Sequence, residues 1–115
     1  MKKTFLNRIQ PFIQLARYDK PVGFMLLFWP CMWSLLLHSL YIGELAPISF
    51  FILFFIGSII MRGAGCTWND FLDKDYDKNV KRTKDRPLAS NKIKKTTAIV
   101  FLLLQLFIGL IILIQ

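Results

Sequence analysis

The hydrophobic positions of this chain fall into three long runs, separated by segments rich in charge. Residues 21–42, 45–66 and 96–115 are almost free of charged side chains. A helix needs about 20 residues to cross the hydrocarbon core of a bilayer. Because lipid offers no partner to open backbone groups, each run is predicted to be a transmembrane helix.

The segment before the first run has a different pattern. In residues 4–17, apolar side chains recur at helical spacing and Lys or Arg takes other positions, which is typical of a helix lying in the headgroup plane. The junction that follows is interpreted as helix capping, with Pro21 in the first turn of the first span. A contact of Arg17 or Lys20 with a phosphate is the alternative.

Composition supports a membrane location. The chain has 115 residues and is 55% hydrophobic, whereas soluble domains average about 45–50% apolar residues. The pattern therefore predicts an all-α membrane protein with three transmembrane helices and an N-terminal interfacial helix, which forms the front part of a larger helical bundle.

The net charge of +8 follows the membrane topology. Lys and Arg are concentrated before the first span and in residues 69–95, and the short connection between the first two spans has none. By the positive-inside rule, the N-terminus and residues 69–95 are expected to be cytoplasmic in a multi-pass protein of a bacterial-type inner membrane. This distribution favours contact with anionic lipid over nucleic acid as a partner.

Negative charge is concentrated directly after the second span. On a continuous helix, Asp70, Asp73 and Asp77 would share one stripe, with Asn69 at its edge and Asp75 pointing away. Neighbouring carboxylates repel each other unless a cation relieves them. Mg²⁺ is the candidate, because it prefers carboxylate oxygens together with phosphates and water.

Basic residues stand on both sides of this stripe. Arg62 lies within the second span, where an Arg costs about 2.5–3.5 kcal/mol to insert, and helical spacing places it on the Asp70 face. Lys81, Arg82 and Arg86 follow the stripe. Such residues can hold the phosphate oxygens that a metal leaves free. The alternatives are that Arg62 snorkels to the interface or pairs with a carboxylate of its own helix, and that the loop is an ordinary positive-inside loop.

The motifs resemble those of the UbiA family of intramembrane prenyltransferases, and within it the branch that prenylates 4-hydroxybenzoate in ubiquinone biosynthesis. The similar segments are Asn69-Asp70-x-x-Asp73-x-x-x-Asp77, Val80-x-Arg82-Thr83-x-x-Arg86-Pro87, Asp19-Lys20-Pro21-x-Gly23, Trp29-Pro30 and Arg62-Gly63-Ala64-Gly65-Cys66. Together they extend from about Arg17 to Leu88.

The resemblance implies Mg²⁺-dependent transfer of a polyprenyl group from an allylic polyprenyl diphosphate to an aromatic acid. The residues it implies for Mg²⁺ and catalysis are Asp70, Asp73 and Asp77, with Asn69 as a further metal and diphosphate ligand. Lys81, Arg82 and Arg86 would contact the diphosphate. Arg62 would act near the carboxylate of the acceptor or near the diphosphate.

Family members are expected to be bundles of about nine transmembrane helices with a second aspartate-rich motif, which this sequence lacks. We therefore expect a truncated chain that is inactive alone and needs a complementary C-terminal fragment. The main alternative is a small membrane scaffold or relic without catalytic activity. An ion or proton pathway through Arg62 and Gln105 is a further alternative, but it lacks polar residues along the spans.

Overall fold

The computed structural model describes residues 2–115, and every regular element in that range is a helix. The helices are α1 (Lys2–Ala16), α2 (Pro21–Ile42), α3 (Ile48–Leu72), α4 (Lys74–Asp77) and α5 (Lys95–Leu113). The prediction of an all-α fold is confirmed.

The three apolar runs form α2, α3 and α5, which have 22, 25 and 19 residues and are long and apolar enough to cross a membrane. Pro21 begins α2, where its missing N–H is not needed. Gly43 ends α2 with φ of 75°, a left-handed value that suits glycine. Most large apolar side chains of α2 and α5 point outward and are exposed, as expected for surfaces that face lipid or further helices.

The second membrane helix differs from its predicted bounds. α3 begins at Ile48 and continues to Leu72, so it extends beyond the predicted end at residue 66 and includes Asn69 and Asp70. It ends before the remaining aspartates, and Asp73 forms its C-cap with φ of −92° and ψ of 7°. Because a helix C-terminus carries partial negative charge, further carboxylates there disfavour its continuation.

This end of α3 corrects one expectation. Asp70, Asp73 and Asp77 do not share one stripe of a continuous helix, because the four-residue helix α4 starts anew at Lys74. Asp77 is nevertheless buried, whereas the side chain of Asp75 is 79% exposed.

Helix α3 is the centre of the fold, since it packs against each of the other four helices. A buried cluster at the C-terminal end of α3 joins three segments, which are helix α1, the basic loop that follows α4, and helix α5. It contains Leu15, Leu88, Ile93 and Ala98, with Phe12, Phe71 and Phe101 packed around them. Leu88 is fully buried, so this cluster anchors the basic loop beside the end of α3.

A polar network ties the turn between α1 and α2 to α3 and α5. The Gln105 amide donates a 2.6 Å hydrogen bond to the Tyr18 hydroxyl. The Thr67 hydroxyl lies 3.1 Å from Oε1 of Gln105 and 2.8 Å from the carbonyl of Gly63. Burial raises the pKa of Tyr18, so its hydroxyl stays neutral at physiological pH. Each hydrogen bond contributes about 1 kcal/mol net, and a buried group left without a partner costs more.

Gly63 makes this network possible by leaving room for it. A Cβ at Gly63 would lie 2.6 Å from Oη of Tyr18 and 2.7 Å from Nε2 of Gln105, whereas a Cβ at Gly65 would meet nothing within 4 Å.

We predict that Gly63→Ala lowers the free energy of unfolding in detergent or nanodiscs by about 1–3 kcal/mol relative to Gly65→Ala, because the methyl group must displace Tyr18 or Gln105. Gly65→Ala is the matched control, since it gives the same gain in helix propensity on the same helix. Equal stability of the two variants would contradict the packing described here.

Candidate active site

The carboxylate of Asp70 is buried where three segments of the chain meet. Asp70 is 1% exposed, near the end of α3. Nη2 of Arg17, from the turn after α1, donates to Oδ1 of Asp70 at 3.0 Å, and Nη1 of Arg86, from the basic loop, donates to the same oxygen at 3.3 Å. A buried carboxylate is costly unless it is paired and hydrogen-bonded. The two guanidinium groups supply that pairing.

Arg86 also joins the two aspartates on either side of the helix break. Its Nη1 lies 3.2 Å from Oδ2 of Asp77, in addition to its contact with Asp70. The backbone carbonyl of Asp77 accepts a 3.0 Å hydrogen bond from the Thr83 hydroxyl. One guanidinium group therefore holds the end of α3, helix α4 and the basic loop together.

Arg17 has an unusual backbone conformation. Its φ is 56°, in the left-handed region that side chains other than Gly occupy at a cost of about 1–2 kcal/mol. The N–H of Arg17 donates to the carbonyl of Gln14 and the N–H of Tyr18 to the carbonyl of Ile13. This is the Schellman pattern of a helix C-terminus, in which Gly is the usual residue at the position of Arg17.

A polar cavity of about 630 Å³ opens beside these ion pairs. Its lining includes five cationic and three acidic side chains, which gives it a net positive charge. The cations are Arg17, Lys20, Arg62, Arg82 and Arg86, and the acids are Asp19, Asp70 and Asp85. Such a site favours an anion with several oxygens, because Arg can bind phosphate in a bidentate manner.

Gly23 gives the guanidinium group of Arg62 its place in this cavity. A Cβ at Gly23 would lie 2.7 Å from Nε of Arg62, so the Arg62 side chain lies directly against the backbone of α2. The spacing argument that placed Arg62 and Asp70 toward the same region agrees with this geometry, since both residues line the cavity.

The other residues named from the sequence lie in different surroundings. Asp73 is half-buried at the break between α3 and α4, and Asn69 is exposed on α3. Arg82 is exposed and lines the cavity, whereas Lys81 is exposed and does not line it. The structure thus brings together Asp70, Asp77, Arg62, Arg82 and Arg86.

The oxygen atoms of Asp70 and Asp77 are chemically suited to Mg²⁺. Among residues 2–115, however, no group of three or more His, Cys, Asp or Glu side chains is arranged to hold a metal ion. Arg86 lies between the two carboxylates and supplies the positive charge there. The metal role of Asn69, Asp70, Asp73 and Asp77 stays a prediction.

Sequence reasoning did not select Arg17 or Gly23 as site residues. Arg17 was interpreted as part of a capping junction, and its partner Asp70 is 53 positions away. The available signal was the position of Arg17, directly before the Tyr18-Asp19-Lys20-Pro21 segment that carries part of the family resemblance.

A second, apolar cavity of about 590 Å³ is lined by residues of α2, α3 and α5. Its lining includes Leu27, one turn after Gly23 on α2, and Ser58 and Met61, which precede Arg62 on α3. Gly109 and Leu110 of α5 also contribute. The charged cavity and the apolar cavity are thus lined by neighbouring turns of α2 and α3.

The fold and these cavities define a helical membrane protein with a cationic site at the ends of its spans. The sequence model of the UbiA prenyltransferase family matches residues 27–115. The chain therefore belongs to the UbiA prenyltransferase family.

Three relatives illustrate the similarity. A mitochondrial 4-hydroxybenzoate polyprenyltransferase of Drosophila melanogaster is 52% identical over 113 residues, which is 98% of this chain and 29% of the relative. One of Arabidopsis thaliana is 49% identical over 109 residues, covering 95% of this chain and 26% of the relative. A 4-hydroxybenzoate octaprenyltransferase of Psychrobacter arcticus is 44% identical over 113 residues, covering 90% and 37%.

The chain thus spans about a quarter to a third of the length of these relatives. No solved structure matches it.

The role of Arg86 as a tether gives a prediction for the basic loop. Arg86→Gln removes the ion pairs to Asp70 and Asp77, so we expect amide hydrogen exchange at Lys84 and Ser90 to become about tenfold faster or more, which corresponds to about 1.4 kcal/mol. Both amides are hydrogen-bonded within the loop, to the carbonyls of Val80 and Arg86.

Arg82→Gln is the matched control, because Arg82 lines the same cavity but makes no ion pair within the described chain. Exchange that is equally fast in both variants would show that Arg86 does not hold the loop.

Proposed function

We propose that this chain forms the first aspartate-rich half of a prenyltransferase site, which transfers a polyprenyl group from an allylic polyprenyl diphosphate to an aromatic acceptor. The observation that carries this proposal is the succession of the two cavities along α2 and α3. The polar cavity fits a diphosphate, and the apolar cavity fits the first part of an isoprenoid tail.

The cationic side chains would bind the diphosphate and stabilise it as a leaving group. When the allylic C–O bond breaks, negative charge develops on the diphosphate, and preorganised guanidinium groups lower the barrier by meeting that charge. The allylic carbon then forms a bond to the aromatic ring, and the ring loses a proton to a base. Arg82 and Arg86 line the polar cavity and would contact the diphosphate, and Lys81 would reach it only by moving the loop.

Mg²⁺ would be held by Asp70 and Asp77, with Asp73 and Asn69 as further ligands at the helix break. When bound, it supplies Lewis-acid stabilisation of the diphosphate oxygens. Carboxylate and amide oxygens fit this ion, and the magnesium dependence rests on that chemistry and on the family.

The acceptor in this proposal is 4-hydroxybenzoate, the substrate in the names of the relatives. Arg62 is the residue proposed to meet the carboxylate of the acceptor, because it lies in the cavity deeper along α3 than Asp70. The reaction would contribute to ubiquinone biosynthesis in an integral membrane protein. The charge distribution supports a cytoplasmic N-terminus and a cytoplasmic residue 69–95 segment. The similarity to these relatives gives no support to a separate complementary fragment.

The proposal predicts Mg²⁺-dependent binding of geranyl diphosphate to the chain in nanodiscs. Asp70→Asn is expected to weaken that binding by about 100-fold, because it removes a metal ligand from the centre of the site. Loss of a residue that only supports a metal ligand typically lowers metal affinity by about 10–100-fold, so loss of a ligand itself should lie at the upper end of that range. Calorimetry with and without Mg²⁺ measures both effects.

Asp75→Asn is the matched control, since the Asp75 side chain is exposed and pairs only with Lys78 at 3.8 Å among the described residues. Its affinity should stay within about twofold of the native value. Affinity that is the same for Asp70→Asn and the native chain would favour the scaffold alternative over the prenyltransferase proposal.

A chimera tests the acceptor. When this chain replaces the matched segment of the Psychrobacter arcticus relative, we expect Mg²⁺-dependent prenylation of 4-hydroxybenzoate. Arg62→Gln should raise KM for 4-hydroxybenzoate about tenfold or more, because it removes a charged hydrogen bond, while leaving KM for the prenyl diphosphate within about twofold. An active chimera whose KM for the acceptor is indifferent to Arg62 would remove Arg62 from the acceptor site.

A further inference from the structure

We propose that Arg17 is a diphosphate-binding residue. In the ligand-free protein, its guanidinium group is paired with the Asp70 carboxylate, where a metal ion would otherwise bind. This inference rests on the proposed function and adds a residue and an exchange step to it. In the exchange, the Arg17 guanidinium group leaves Asp70 for the diphosphate, and Asp70 becomes available to the cation that enters with the diphosphate.

The first support is the hydrogen-bonding capacity of Arg17. A guanidinium group has five N–H donors, and Arg17 uses one nitrogen on Asp70 at 3.0 Å as its side-chain hydrogen bond within the described chain. The side chain is 29% exposed and lines the polar cavity. Arg17 therefore presents unused donors to the space that an anion would fill.

The second support is the backbone of Arg17. Gly is favoured at this left-handed position, and an Arg there is strained, with φ of 56°. Strained positions that persist are often functional. The benefit that offsets the strain at this turn is the contact of the side chain with the site.

The third support is the rigid placement of the turn. The residue after Arg17 is Tyr18, whose hydroxyl is held by Gln105 of α5 at 2.6 Å. Gln105 is in turn held by Thr67 of α3. The turn is therefore fixed against two membrane helices, while the Arg17 side chain remains able to change partners.

The fourth support is the shared oxygen on Asp70. Oδ1 of Asp70 accepts from both Arg17 and Arg86, so release of Arg17 leaves the carboxylate paired by Arg86. The exchange then does not require a buried carboxylate without any partner, which would be costly.

The test is calorimetry on the full chain in phosphatidylcholine nanodiscs, with Mg²⁺ alone and with inorganic pyrophosphate plus Mg²⁺. For Arg17→Gln, we expect opposite shifts. Affinity for Mg²⁺ alone should rise about threefold or more, because a competing cation is gone, and affinity for Mg²⁺ with pyrophosphate should fall about tenfold or more, because a charged ligand group is gone.

Two further variants separate a binding role from a structural one. Arg17→Gly relieves the backbone strain, so it should unfold at a higher temperature than Arg17→Gln while binding pyrophosphate as weakly. Arg17→Lys should recover part of the pyrophosphate affinity, since it restores the charge without the fork of donors. The matched control is Arg8→Gln, because Arg8 is exposed on α1 and lies outside the cavity; both of its affinities should stay within about twofold.

Parallel losses of both affinities in Arg17→Gln would make Arg17 structural and overturn the inference, as would an unchanged pyrophosphate affinity. In nanodiscs that contain phosphatidylglycerol, the pyrophosphate affinity of the native chain should stay within about twofold. A large loss there would assign Arg17 to a lipid headgroup and overturn the inference.

These outcomes are distinguishable from failure of the proposed function. If pyrophosphate binds and depends on Asp70 but not on Arg17, only this inference is overturned. If the native chain binds no pyrophosphate with Mg²⁺, both proposals are overturned.

Discussion

The pairing of one buried carboxylate with two guanidinium groups is the interaction on which the rest of this structure depends. Asp70 cannot be removed from water as an anion without compensation, and its partners come from opposite sides of the chain, Arg17 before the first span and Arg86 after α4. Satisfying Asp70 therefore requires the α1–α2 turn and the basic loop to meet at the end of α3. The buried cluster around Leu88 and the hydrogen bonds of Gln105 hold those segments in place.

The same arrangement explains how a membrane protein can keep strong charges close to apolar spans. The polar cavity takes most of its charge from the ends of helices and from loops, with Arg62 contributed from within α3, whereas the apolar cavity is lined by α2, α3 and α5. In the proposed function, the charged head of a prenyl diphosphate would occupy the polar cavity and its apolar tail would occupy the other. Membership of the UbiA prenyltransferase family agrees with that chemistry. The chemistry depends on where the site residues lie in the fold as much as on which amino acids they are.

The spans were predictable because their signal is local: each apolar run is long enough to become a helix in lipid. The relation of Arg62 to Asp70 was also predictable, because both lie on one helix and spacing fixes their faces. The position at which α3 ends was not predictable from the sequence. The sequence pattern stays helical through Leu72 and Asp73, whereas the negative charge of the following carboxylates disfavours continuation of the helix at its C-terminus. Arg17 was not selected because its contact with Asp70 depends on tertiary packing across 53 positions, and no local period encodes such a contact.

The most direct test of this account is a double-mutant cycle between Arg17 and Asp70, measured as free energies of unfolding in nanodiscs for the native chain, Arg17→Gln, Asp70→Asn and the double variant. If the ion pair organises the site, the two substitutions are coupled by at least about 1 kcal/mol, because each single substitution already breaks the Arg17–Asp70 contact and the double variant cannot lose that contact twice. Additive effects within about 0.3 kcal/mol would show that the two side chains do not stabilise each other, and would contradict the central role of the buried carboxylate.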